Sequence, residues 1–263
     1  MTHHVETTAL ITGAAQGLGL SIAKELIGQG CRKLVLTDIN PAGKATAEAL
    51  NEDGVEASFI QTDMGMTDAA IAMVDEAAAR MGTVTALVNA AGNTERGSIL
   101  DTTPDHWDRI HDANSKGPFF ALQRFAQLAI ENKHAASAVN ILSIVVHGGL
   151  PFLAPYGASK AALLYTTKNS ANTLAKHHIR VNGINVGWMD TPGEDLRQRA
   201  SHDRPKGWLK DAESNVPFGK LVKPEEVATL AAFLLGPQSG VMTGSIIDFD
   251  QQVVGAYPDT NDN

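Results

Sequence analysis

Short apolar runs and longer helical periods take turns along this chain. Residues 9–11, 34–36, 56–61, 87–88, 138–142, 181–186 and 245–249 are brief runs rich in aliphatic side chains and closed by polar or small residues, and each predicts a strand. Between them apolar residues recur at three- and four-residue spacing. Leu20, Ile22, Ala23, Leu26 and Ile27 mark one helix, Pro41 opens another over 41–51, and Thr67 stands as a cap before 68–81. Thr103-Pro104 begins a stretch through Trp107 and Ile110 to Asn114, and Pro118 starts a longer helix through Phe119, Leu122, Phe125 and Leu128. An alanine-rich helix is expected over 156–176, and Pro224-Glu225-Glu226 opens the last one over 227–235. Residues 188–215 break the pattern: they are polar, carry Glu194, Arg197, Arg199, Arg204 and Lys210, and read as a loop or lid over a site. Residues 144–155 read as a loop and 256–263 as a frayed tail.

The first junction changes the picture from pattern to chemistry. The strand at 9–11 runs into Thr12-Gly13-Ala14-Ala15-Gln16-Gly17-Leu18-Gly19, and a helix follows. Glycines there permit a tight turn and let a pyrophosphate approach bare amides at a helix N-terminus, so Gly13, Gln16, Gly17, Leu18 and Gly19 are cofactor candidates. The second strand ends in Thr37-Asp38, nineteen positions past Gly19. That is where a dinucleotide fold needs a carboxylate for the adenosine ribose. Asp38 accepts from a ribose diol and repels a ribose phosphate, and Ile39 rather than a cation follows it, which favours NAD over NADP. Asp63 and Met64 at the end of the third strand, and Asn89, Ala90 and Gly92 at the end of the fourth, are placed to line the same crevice.

Six helix-and-strand alternations imply an α/β fold: a Rossmann-type doubly wound parallel sheet of about seven strands with helices on both faces, in one domain over 1–263. Ligands of such a sheet sit at the carboxyl ends of the strands.

Tyr156 and Lys160 stand four positions apart at the head of a helical run and so share a face. A free phenol titrates at about 10, and a fixed ammonium favours its ionised form, which makes Tyr156 a candidate proton carrier. Ser143 closes the fifth strand upstream, and Asn114 falls where two helical stretches meet, a place where a kink frees a backbone carbonyl.

Composition narrows the class. With 29 acidic and 21 basic residues the formal net charge is −8, which opposes nucleic-acid binding. The single cysteine, Cys31, excludes an intrachain disulfide framework and fits a reducing compartment. No apolar stretch approaches a membrane span and no leader is apparent, so a cytoplasmic protein is expected. His3 and His4 read as solvated terminal residues rather than as metal ligands, and no metal is expected.

Thr12-Gly13-x-x-x-Gly17-x-Gly19, Asn89-Ala90-Ala91-Gly92, Asn114, Ser143 and Tyr156-x-x-x-Lys160 resemble, in order and spacing, the short-chain dehydrogenase/reductase family. Pro217-x-Gly219-Lys220, Pro224-Glu225-Glu226-Val227 and Thr243-Gly244 are similar to its later segments. The resemblance implies an NAD-dependent alcohol dehydrogenase in which Tyr156 carries the alcohol proton and Ser143 holds the substrate oxygen. It also implies that Lys160 binds the nicotinamide ribose, that Asn114 holds a linking water, and that Gly187 and Thr191 meet the nicotinamide. A homotetramer or homodimer pairing the helices after Pro118 and Tyr156 follows from the same resemblance. Two departures stand out. Val186-Gly187 replaces the usual Pro-Gly, and Phe249-Asp250-Gln251-Gln252 replaces Val-Asp-Gly-Gly.

Polar groups expected around the substrate are Glu95, His147, Trp188, Asp190 and Glu194, which point to a small polar secondary alcohol such as a sugar or polyol. The alternatives are an NADPH-dependent 3-oxoacyl reductase, which Asp38 disfavours, and a non-catalytic NAD-sensing regulator, which the intact Asn, Ser, Tyr and Lys set disfavours.

Overall fold

Seven parallel strands lie in the order β3-β2-β1-β4-β5-β6-β7, so the chain leaves β1 in one direction and returns to its other side at β4. The computed structural model describes residues 3–201 and 204–256. In chain order the strands and helices are β1 (Thr8–Thr12), α1 (Gly17–Gly28), β2 (Lys33–Asp38), α2 (Gly43–Leu50), β3 (Glu56–Gln61), α3 (Thr67–Met81) and β4 (Ala86–Asn89). They continue as α4 (Pro104–His111), α5 (Gly117–Glu131), β5 (Ala136–Ser143), α6 (Ala154–Leu174), β6 (Ile179–Val186), α7 (Pro192–Ser201), α8 (Trp208–Ser214), α9 (Pro224–Leu235) and β7 (Ile246–Phe249).

The strands read as continuous apolar runs because both faces of the sheet are covered. Along β1, Ala9 and Ile11 join one core with Ile22 and Leu26 of α1 and Val227 and Ala231 of α9. Leu10, pointing the other way, joins a second core with Val74 of α3, Phe125 of α5 and Ala171 of α6. The same alternation repeats in β2, where Leu34 and Leu36 enter the first core and Val35 the second. Phe125 is fully buried, and its loss to alanine costs about 3–5 kcal/mol by analogy with other cores.

All seven expected strands are present, most of them longer than their apolar runs. The added residues include polar ones such as Thr8, Thr12 and Ser143, recruited by parallel pairing with neighbours: Thr8 opposes Lys33 and Ser143 opposes Val186. Three local differences stand out. Thr67 is the first residue of α3 rather than its cap. The segment expected to be a lid loop holds α7 and α8, short charged helices whose anchor is Trp208, 2% exposed and hydrogen-bonded through Nε1 to Asp195 at 2.8 Å. His4 is not solvated but fully buried, with Nε2 3.0 Å from the Ala232 carbonyl and Nδ1 2.9 Å from Thr7 Oγ1. Beyond Ala256, the tail expected to fray lies outside the described residues. Among the described residues no helix is long and apolar enough to cross a membrane.

Candidate active site

The ends of β1 and β4 meet where the strand order reverses, and Thr12 ties them. Its buried hydroxyl accepts from the amides of Ala90 and Ala91, each at 3.0 Å. Gly13 follows with φ +65°, and a Cβ there would sit 2.8 Å from Ala91 Cα, so only glycine fits the crossing. Gly17, at φ +58°, opens α1 after Gln16. The first turn of α1 carries no acid and Gln16 makes no side-chain cap, so the leading amides are left to an anion in the cleft. Leu18 lines that cleft, whereas Gly19 lies behind it and allows α1 to close on the Gly13 carbonyl.

Asp38 stands at the end of β2 and faces the cleft. Its Oδ2 accepts from the Ala15 amide at 3.0 Å and its Oδ1 from the Asn40 amide at 2.9 Å, which fixes the carboxylate while leaving each oxygen a further lone pair. Asp63 and Met64 also line the cleft, Asp63 closing a turn by accepting from the Gly65 amide at 2.8 Å. Ala90 and Gly92 do so too, but the Asn89 side chain does not. It is buried and donates to Asn140 Oδ1 at 2.9 Å, with Asn140 passing on to Thr167 at 2.8 Å.

Tyr156 and Lys160 project from the first turns of α6 into the same cleft as Ser143 at the end of β5. Lys160 is 4% exposed, donates from Nζ to the Ile141 carbonyl at 2.8 Å, and burial lowers its pKa to about 8. Burial pushes the Tyr156 phenol up, and a hydrogen bond with Ser143 together with the charge of Arg197 pulls it back in part. Burial thus keeps the phenol protonated, and the groups that favour its ionised form are Ser143 and Arg197 rather than Lys160. Asn114 lies in a π-helical turn, Asp112–Lys116, between α4 and α5. Its Oδ1 accepts from the Asn93 amide at 2.7 Å, and its Nδ2 reaches the Asn93 carbonyl at 2.7 Å and Ser159 Oγ at 3.0 Å. A side chain at Gly92 would meet both Asn114 Oδ1, at 3.5 Å, and Lys160 Nζ, at 3.6 Å. Asn93 and Ser159 are the supporting residues that pattern reading passed over, and Thr12 stands in the glycine motif without a role assigned to it there. Ser159 sits inside Tyr-x-x-Ser-Lys, but only the fold shows that it faces Asn114.

The substrate side divides the five expected residues. Glu95, Trp188 and Glu194 line the cleft. Trp188 donates from Nε1 to Glu194 at 2.9 Å and stacks on Trp208, with ring centroids 5.8 Å apart. His147 turns away toward β7, where its Nε2 lies 2.9 Å from Asp248 Oδ1, and Asn185 donates to the same oxygen at 2.7 Å. Asp190 is drawn outward by Lys223, at 2.8 Å. Gly187 and Thr191 line the cleft, the Thr191 hydroxyl accepting from the Glu194 amide at 3.1 Å. Where the chain departs from the family pattern, Val186 extends β6 beside Phe249, and Gln251 bridges to the segment before α9 through the Phe218 amide and the Lys220 carbonyl, both at 2.8 Å.

The cleft measures about 1290 Å³, more than the roughly 300–1,000 Å³ of a single small-molecule site, and it runs from Asp38 to Trp188. The family model described as enoyl-(acyl carrier protein) reductase matches residues 13–251. The chain belongs to the short-chain dehydrogenase/reductase family. Relatives of known name cover nearly all of it. The 3-oxoacyl-(acyl-carrier-protein) reductase of Chlamydia muridarum is 31% identical over 94% of this chain and 96% of its own. The galactitol 2-dehydrogenase of Agrobacterium fabrum is 31% identical over 92% and 95%, and the 2-dehydro-3-deoxy-D-gluconate 5-dehydrogenase of Dickeya dadantii 33% over 92% and 93%. Among solved structures, the actinorhodin polyketide ketoreductase with NADPH superposes with a TM-score of 0.87 at 28% identity, over 97% of this chain and 100% of that one. A short-chain dehydrogenase/reductase is an oxidoreductase of secondary alcohols and ketones that works with a nicotinamide cofactor. The glycine cradle, the α1 N-terminus and the fixed Asp38 carboxylate suit such a cofactor.

Proposed function

We propose that the protein is an NAD-dependent dehydrogenase of a small polar secondary alcohol, of the sugar or polyol class. The observation that carries the cofactor choice is Asp38, whose fixed carboxylate faces the cleft with Ile39 beside it. A 2′-phosphate about 4 Å from that carboxylate meets a repulsion of about 4 kcal/mol per charge pair at an effective dielectric near 20. A ribose diol instead finds two free lone pairs.

When bound, the nicotinamide supplies the hydride acceptor. The Tyr156 hydroxyl, ionised, takes the alcohol proton, and the Ser143 hydroxyl holds the substrate oxygen. Lys160 spends one proton on Ile141, leaving two donors for the ribose. Asn114, locked to Asn93 and Ser159, keeps the π-turn open so that a freed carbonyl can hold water near Lys160. The segment 188–215 serves as the substrate lid. The exposed Tyr165 on α6 supports pairing of that helix with α5 across subunits of a dimer or tetramer.

The test is kcat/KM with NAD and with NADP over a panel of sugars, polyols and hydroxy acids. At least a 100-fold preference for NAD is expected. A marked NADP preference would favour the runner-up, a 3-oxoacyl reductase, which the Chlamydia muridarum relative and the NADPH-bound ketoreductase support.

A further inference from the structure

The substrate end of the cleft carries more positive charge than the hydride chemistry uses. Arg96, in the loop after β4, lays its guanidinium 4.4 Å from the centre of the Phe152 ring. Arg197 of α7 and Arg204, just before α8, line the same cleft, although the whole chain is net acidic. Burial holds the Arg96 guanidinium below its usual range; the Glu194 charge opposes this, while Arg204 and Arg197 add to it. Arg197 and Arg204 are therefore near enough to act on Arg96.

The acids nearby are held by other donors, although Glu194 keeps its charge and acts on Arg96 more than either neighbouring arginine does. Glu194 accepts from Trp188 Nε1 at 2.9 Å and Gln198 Nε2 at 2.6 Å, and meets Arg197 only at 3.9 Å. Glu95 is held by Arg109 at 3.3 Å and His106 at 3.4 Å, and Asp112 by Lys116 at 3.0 Å. Asp250 accepts from the Gln251 amide at 2.8 Å. Among the described residues Arg96 has no ion-pair partner, and its stacking on Phe152 holds the guanidinium fork in place. A planar fork of donors in a cleft matches a carboxylate or a phosphate, and such an anion would relieve the repulsion that Arg197 and Arg204 exert on Arg96. The glycine loop abuts the start of α7, where a side chain at Gly17 would meet Thr191 at 3.8 Å and one at Gly193 would meet Gln16, so the cofactor phosphates compete for Arg197, whereas Arg96 lies on Phe152 in the loop after β4.

We infer that Arg96, Arg197 and Arg204 hold an anionic group borne by the alcohol itself. The preferred substrates are then hydroxy acids or phosphorylated polyols rather than neutral polyols. The inference rests on the reading of the cleft as a site of alcohol oxidation.

Matched pairs differing only in charge test it with the full-length protein and NAD: D-gluconate against D-gluconamide, and D-glucitol 6-phosphate against D-glucitol. The expected result is a kcat/KM at least tenfold higher for the anionic member of one pair, carried by KM and diminished by salt. Which pair responds tells carboxylate from phosphate. Arg96→Gln and Arg197→Gln should each cut that charged-over-neutral ratio at least tenfold, and the lysine variants should recover part of it. A ratio near one, an arginine effect equal on both members of a pair, or faster turnover of acetoacetyl-coenzyme A with the same arginine dependence overturns the inference. If no pair is oxidised, it is the alcohol-oxidation reading that fails. Titrating the enzyme–NADH complex with the four compounds then decides the anion site. Tighter binding of an anion that Arg197→Gln abolishes sustains it, and equal affinity within both pairs refutes it.

Discussion

The Lys160 ammonium sits 5.9 Å from the centre of the Tyr156 ring, in the cleft where the glycine loop and Ser143 also converge. Burial acts on both groups in the direction of neutrality, lowering the lysine to about 8 and raising the tyrosine. The sign for stability follows. Between about pH 8 and 10.5 the unfolded chain binds a proton at this lysine that the folded chain has released, so stability rises with pH in that window. Below about pH 8 the full cost of burying the charge is present. Urea unfolding should show Lys160 contributing about 2 kcal/mol of added stability between pH 7.5 and 9.5, and Lys160→Met should lose that rise.

His4 works at the opposite end of the scale. Burial lowers its pKa, outweighing the Ala232 carbonyl that raises it. The folded chain resists a proton that the unfolded chain takes up near pH 6.5, so the stability due to a neutral His4 is fully present above that value. It fades as pH falls through the depressed folded value. Denaturation midpoints at pH 7.5 and 5 should show a smaller acid loss in His4→Gln than in the parent protein.

Gly13→Ala tests the loop. The added methyl meets Ala91 Cα at 2.8 Å in a left-handed conformation, so we expect a loss of about 1–3 kcal/mol of stability. NADH affinity, measured by fluorescence titration, should fall more than tenfold. Unchanged affinity would remove the cofactor from this loop.

Asn114→Ala removes the hydrogen bonds that join the π-turn to Asn93 and Ser159. Leaving those buried groups unpaired should cost about 1–3 kcal/mol in denaturant unfolding. Turnover should drop further than NADH binding if, as proposed, the turn holds a relay water rather than gripping the cofactor.

Much of this architecture is legible in the sequence because its signals are local. A strand covered on both faces must be apolar throughout, so β1, β2, β5 and β6 announce themselves, and the loop before α1 and the Tyr156 to Lys160 spacing depend on short stretches. What stays hidden depends on distant partners. His4 is buried by the Ala232 carbonyl, His147 turns to Asp248, and Asp190 turns to Lys223, contacts no neighbouring residue forecasts. The helices α7 and α8 escape notice because they are short and charged, and one buried tryptophan, not an apolar face, fixes them. The arginines of the cleft are visible one by one, but their convergence is a property of the fold.

In the proposed reaction the Tyr156 hydroxyl moves the proton beside bound nicotinamide. The most direct measurement sets turnover of Tyr156→Phe beside its NADH affinity. A kcat lowered by about 10²–10⁴-fold, with NADH binding within about threefold of the parent protein, is expected. Turnover retained at the parent level, with the cofactor bound as tightly, would contradict it.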